Sequence, residues 1–304
     1  PRQAPQRDNR VIQRTLFGPL VWPAVSYRTI RYEVAAPHVA LLTLARPEVA
    51  NALNGELFEE LDDAVRAIDG DDDIHVWILT GAPRIDGRPW FSAGADMKEP
   101  AGPHPNVDPA AVVDRIDALL KPSIAAIGGM CTTGALELAM ACDLRIAATS
   151  ARLSDWHLKT TGLGIGQWGA ATRLSRLVGI DKAKELLLTG VEVSGEDAAR
   201  MGLVNRAVPE ADLMDHAVDV AAAIAAMPRR GVRSTLAHLE MTADMSKREA
   251  IGWARLTPEY TGLRLRPFID AAERFSKRDR ATKPAPGTTP SGLPPPSTRP
   301  QADP

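Results

Sequence analysis

A chain of 304 residues, 44% hydrophobic and 24% charged, holds enough apolar material for a sizeable core. Its formal net charge of −2 gives no general attraction to nucleic acid or to an anionic membrane. With only Cys131 and Cys142, which lack metal-ligand spacing, and no apolar run near the roughly 20 residues of a membrane helix, the expectation is a soluble, metal-free, cytoplasmic protein.

Residues 1–26 form an N-terminal extension rich in Pro, Arg and Gln, with a short apolar patch at Val21–Val25 that is expected to dock on the domain. It has no apolar segment of the secretory kind and reads as a disordered leader, with an organelle transit peptide as the other reading. Thr29–Val34 and Val39–Leu44 alternate like paired strands. Asn54 then caps a helix whose Leu57, Leu61, Ala64, Val65 and Ile68 share one face. His75–Thr80 reads as a strand, Val112–Leu120 as a helix, Ser123–Ile127 as a strand, Gly134–Cys142 as a helix and Leu144–Ala148 as a strand. Helical segments dominate from Gly169 to Met227, broken at Gly190–Ser194 and by a strand at Asn205–Val208. Alternating strands and helices imply parallel pairing, hence an α/β class. The organisation read is a core at 27–210, a helical region at 211–282 and a disordered tail at 283–304, which holds eight prolines.

Two loops carry chemistry. After the strand ending at Ile127, the chain runs through Gly128–Thr133 into a helix that opens at Gly134 and carries Glu137 one turn in. A helix start offers unpaired N–H groups and partial positive charge, and a glycine there lets a substrate oxygen approach. The second loop, Trp90–Lys98, follows the strand ending at Thr80 and is also built of small residues. Two such loops can aim one N–H each at a single carbonyl oxygen and stabilise an enolate. Taken alone, Ser92–Asp96 reads first as a tight turn, and the other reading of Glu137 is a helix-start acid favoured by the dipole.

The motifs occur together and in order, and with them the chain resembles the crotonase superfamily, the enoyl-CoA hydratase/isomerase family. The resemblance rests on Arg46–Asn54, Phe91–Glu99, Gly134–Ala139 with Cys142-Asp143, Leu187–Gly190 and Ala198–Val204, and runs more weakly to Arg280. It implies a spiral of repeated ββα units with a C-terminal helical trimerisation region, and a homotrimer or dimer of trimers. It implies an acyl-coenzyme A thioester as substrate, with no prosthetic group. The oxyanion hole falls to the N–H groups of Ala95 and Gly134. Ala50 and Ala52 would meet pantetheine, Ala93, Asp96 and Met97 the adenine region, and Lys98 the phosphates. Glu137 takes the place of one of two acid/base carboxylates.

The departure lies at the second acid. Fourteen residues beyond Asp143 the family spacing arrives at His157, not glutamate; counting back from Thr172-Arg173-Leu174 arrives near Lys159, because Gly162–Gly169 is about two residues longer than the usual loop of the family. Asp155 and His157 share a side if the segment is extended. A histidine can act as acid or base near neutrality, so the catalytic set expected is Glu137, His157 and Asp155. Trp156 and Trp168 are candidates for the acyl pocket, though each taken singly reads first as core packing. The reactions left open are hydration or isomerisation of an enoyl-CoA, hydrolysis of a thioester or β-diketone, and a silent binding scaffold. A nucleophilic serine or cysteine has no partner set, and no basic-aromatic stripe supports RNA. Pro267–Arg278 resembles the family's last helix.

Overall fold

The computed structural model describes residues 27–99 and 107–261. The leader, the Pro267–Arg278 segment and the proline-rich tail lie outside the described residues. The chain divides into two compact units between Ala225 and Ala226.

In the first unit, β1 (Ile30–Ala36) and β2 (Val39–Leu44) pair antiparallel, as their alternation predicts. Helix α1 (Gly55–Gly70) begins where Asn54 Oδ1 accepts the Leu57 N–H at 3.0 Å, and its expected apolar face is fully buried. The buried Lys121 ends it, donating from Nζ to the Ile68 and Asp71 carbonyls at 2.5 and 2.6 Å. β3 (Val76–Gly81) and β4 (Trp90–Ser92) follow. Helix α2 (Pro109–Ala118) starts three residues before the expected Val112, because Asp108 caps the Ala110 N–H and Pro109 fits the first helical position. Next come β5 (Ser123–Ile127), β6 (Met130–Thr132), α3 (Gly134–Met140), β7 (Leu144–Ala148), β8 (Arg152–Ser154) and α4 (His157–Thr161). The unit closes with α5 (Ala170–Val178), α6 (Ile180–Thr189), β9 (Val193–Ser194), α7 (Gly195–Met201), β10 (Arg206–Val208) and α8 (Leu213–Ala225).

The strands form two sheets. The larger has the order β1-β2-β3-β5-β7-β10, parallel throughout except for β1, and the smaller has the order β4-β6-β8-β9. Three times in succession the chain lays a strand in the large sheet, then a short strand in the small sheet, then a helix: β3-β4-α2, β5-β6-α3, β7-β8-α4. This is the spiral of ββα units. Parallel strands covered on both faces read as unbroken apolar runs, and β5 is buried at every position. Helix α8 packs across β2, β3, β5 and β7. The spiral sets the β4–β6 and β6–β8 neighbours side by side, so the segments just after them, 93–96, 133–137 and 155–157, come to adjoining places.

The second unit contains α9 (Arg229–Thr242) and α10 (Lys247–Thr261), packed on each other. Ser246 and Glu249 form a reciprocal capping box at the start of α10. No helix among the described residues is long and apolar enough to cross a membrane.

Candidate active site

The first of the two loops expected to bind an oxygen is built on a polar frame. Asn51 Nδ2 donates to the carbonyls of Ala82, Trp90 and Phe91, and Ser92 Oγ donates to the Asn51 carbonyl at 2.7 Å. The loop backbone then pairs with residues 50–53: Ala93 N–H with Ala50 O, Leu53 N–H with Gly94 O, Asp96 N–H with Leu53 O. The Ala95 N–H is passed over in this ladder and has no partner among the described residues. Beneath it Asp96 is buried. Its Oδ2 accepts from Arg46 Nη1 at 2.8 Å, and its Oδ1 accepts the N–H groups of Lys98 and Glu99. Burial works to raise the Asp96 carboxyl, but the Arg46 guanidinium and these two N–H groups outweigh it and hold it below the usual range.

The second loop meets the first. A methyl built on Gly94 would stand 3.4 Å from the Gly134 nitrogen. Thr133, which precedes that nitrogen, has φ 57° and ψ −118°, a conformation that costs a β-branched residue about 1–3 kcal/mol. It is held by its surroundings. Its N–H donates to the Ser154 carbonyl at 3.0 Å, and a hydroxyl chain runs from Ser154 Oγ to Thr132 Oγ1 to Thr133 Oγ1 at 2.9 and 3.0 Å. The Thr133 side chain therefore does not cap α3. Like Ala95, Gly134 has an N–H without a partner among the described residues.

Glu137, the inward face of the first turn of α3, is 1% exposed. Its Oε1 accepts the backbone N–H groups of Trp168 and Ala170 at 2.9 and 3.0 Å. That leaves Oε2 for chemistry, 3.5 Å from His157 Nε2. The other ring nitrogen, Nδ1, lies 2.9 Å from Asp155 Oδ2 and donates to it, since a carboxylate accepts; Asp155 Oδ1 accepts the His157 backbone N–H at 3.1 Å. The segment is not extended through His157, as the shared-side argument supposed. β8 ends at Ser154 and α4 begins at His157, and the two side chains meet because Asp155 caps that turn.

Burial raises the Glu137 carboxyl above its usual range, against the His157 charge and the two N–H groups that favour its ionised form. Burial works to lower His157, but the Asp155 hydrogen bond and the charges of Asp155 and Glu137 prevail and raise it. A raised acid facing a raised base lets one proton be shared between Oε2 and Nε2.

Lys159 is turned elsewhere: its Nζ donates to the Gly190 carbonyl at 2.7 Å, as does Trp156 Nε1 at 3.1 Å. Trp168 belongs to the site. A methyl on Gly134 would lie 2.4 Å from its Cζ3, so only glycine fits under the ring. Gly166, at φ 71°, is excluded from carrying a side chain in the same way, by Ala170 Cβ and Glu137 Oε1. Of the expected coenzyme-contacting residues, Ala52 is buried, Ala50 is partly buried, and Ala93, Met97 and Lys98 are exposed along one edge. The Asp96 carboxylate is engaged within the protein. Sequence reasoning missed the Arg46–Asp96 pair, the hydroxyl chain and the two N–H groups on Glu137, none of which has a local pattern.

The sequence pattern of the enoyl-CoA hydratase/isomerase family matches residues 35–257, and the chain belongs to that family. A putative enoyl-CoA hydratase/isomerase of Bacillus subtilis (strain 168) is 41% identical over 205 residues, 65% of this chain and 76% of that protein. A short-chain-enoyl-CoA hydratase of Clostridium acetobutylicum is 38% identical over 190 residues, 60% of this chain and 70% of that protein. The crystal structure of an enoyl-CoA hydratase subunit from Geobacillus kaustophilus HTA426 superposes with a TM-score of 0.73 at 29% identity, over 85% of this chain and 98% of that one. The fold is accordingly the crotonase spiral.

Proposed function

We propose that this chain is an enoyl-CoA hydratase-type lyase, with isomerase-type proton movement as the neighbouring reaction of the same atoms. The observation that carries the reading is the 3.5 Å approach of Glu137 Oε2 and His157 Nε2 beside two backbone N–H groups that have no partner among the described residues. The N–H groups of Ala95 and Gly134 hold the thioester oxygen. Glu137 Oε2 takes a proton from water as the water oxygen bonds to Cβ of the enoyl group, and the electron pair moves to the thioester oxygen as an enolate. His157 Nε2 then protonates Cα, and the proton on Glu137 passes to His157, which restores the pair. Asp155 keeps the ring turned with Nε2 inward, so an imidazole replaces the second carboxylate of the family pattern. The bound coenzyme runs along Ala50, Ala52, Ala93, the Asp96 backbone and Met97, with Lys98 at its phosphates. The protein acts as a homotrimer or dimer of trimers in the cytoplasm, in fatty acid metabolism.

Supplying 2-enoyl-CoA thioesters with short, medium and aromatic acyl groups should give loss of the conjugated-thioester absorbance. No turnover across that series overturns the hydratase reading. Release of free thiol instead would mark water attack at the thioester carbonyl, the hydrolase alternative.

A further inference from the structure

Resting on that reading, we infer that Trp168 sets the acyl specificity of the site and restricts it to short chains. Its indole edge covers the residue that binds the substrate oxygen: Cζ3, Cε3 and Cη2 stand 2.4, 3.1 and 3.2 Å from where a Gly134 methyl would be. The same residue's backbone N–H holds Glu137 Oε1 at 2.9 Å. One residue therefore borders both groups, its ring at Gly134 and its backbone N–H at Glu137, and C1, C2 and C3 of the substrate must lie between them. The ring and its backbone are each held in place. It meets the fully buried Phe58 edge-on, with centroids 4.9 Å apart and planes at 72°. The Trp168 carbonyl accepts from Arg173 Nε at 3.4 Å, and Arg173 is ion-paired to Asp114 and Asp117 of α2 at 3.2 and 2.5 Å. Swinging the indole aside would give up its packing on Phe58, while the backbone that carries it stays anchored at Glu137 and Arg173. A wall that cannot yield penalises each methylene that does not fit, by about 10–200-fold per methylene in kcat/KM.

The test compares wild type, Trp168→Phe and Trp168→Ala on trans-2-enoyl-CoA substrates of four to ten carbons, together with the affinity of the saturated acyl-CoA series by calorimetry. Wild type should fall steeply beyond the shortest chains. Trp168→Ala should move the optimum to longer chains in both measurements, with Trp168→Phe intermediate. Equal losses at every length, with unchanged relative affinities, overturn the inference and leave Trp168 as packing. If wild type turns over no enoyl-CoA, the hydratase reading fails by itself, and the saturated series still decides for or against the wall.

Discussion

Asp96 and Glu137 are both buried carboxylates next to the unpaired amides, yet their surroundings drive them in opposite directions. Asp96 faces Arg46, a cation that does not give up its proton, and two backbone N–H groups; it is held low and stays an anion. Glu137 also receives two backbone N–H groups, but its charged neighbour is His157, whose proton can leave, and burial raises it. The number of hydrogen bonds is similar on the two sides. The difference lies in the acidity of the partner, and it separates a carboxylate that fixes a loop from one that can exchange a proton.

The comparison can be broken from either side. Glu137→Gln removes the base while keeping an oxygen for the Trp168 and Ala170 N–H groups; kcat should fall by about 10²–10⁴ with the thermal midpoint little changed. Arg46→Met should do the reverse. It strands a buried Asp96 charge and should cost about 3–5 kcal/mol of stability in denaturant titrations, more than a surface ion pair could. Asp155→Asn tests what keeps the imidazole basic: with the acceptor charge gone the His157 pKa should fall. The alkaline limb of the kcat/KM profile, where the protonated ring is lost, should then move to lower pH, with kcat down by about tenfold.

Stability against pH gives the smallest and subtlest effect. Asp96, low in the folded state, contributes stability that is present above its unfolded pKa and lost as pH falls through its folded value. His157, raised in the folded state, contributes stability that is present below its unfolded pKa and lost as pH rises through its folded value. The gap in thermal midpoint between wild type and His157→Gln should therefore close on the alkaline side. That between wild type and Asp96→Asn should close on the acid side; a gap that closes on the same side for both would refute the contrast.

Most strands of the large sheet were legible because buried parallel strands are long apolar runs, and α1 because Asn54 and a helical apolar stripe agree. The three-residue strands β4, β6 and β8 carry no periodicity of their own and exist only because the spiral stacks them. The two loops proposed to bind the substrate oxygen stand out in the sequence as small residues after strands, through resemblance to a family. Thr133 could not be marked as strained, since nothing local distinguishes it from an ordinary helix cap.

By itself the sequence determined the strands of the large sheet and most of the helices, the family and the chemical kinds present at the site: two small-residue loops, one acid in the first turn of a helix, and a histidine where a second acid is expected. Those are properties of local composition and spacing. Which nitrogen of His157 faces Glu137, why Lys159 is turned away, and why Asp96 and Glu137 differ were decided by the tertiary structure. Each depends on a partner 20 to 50 residues distant, and the protonation of a buried group is set by what the fold places within a few ångströms of it.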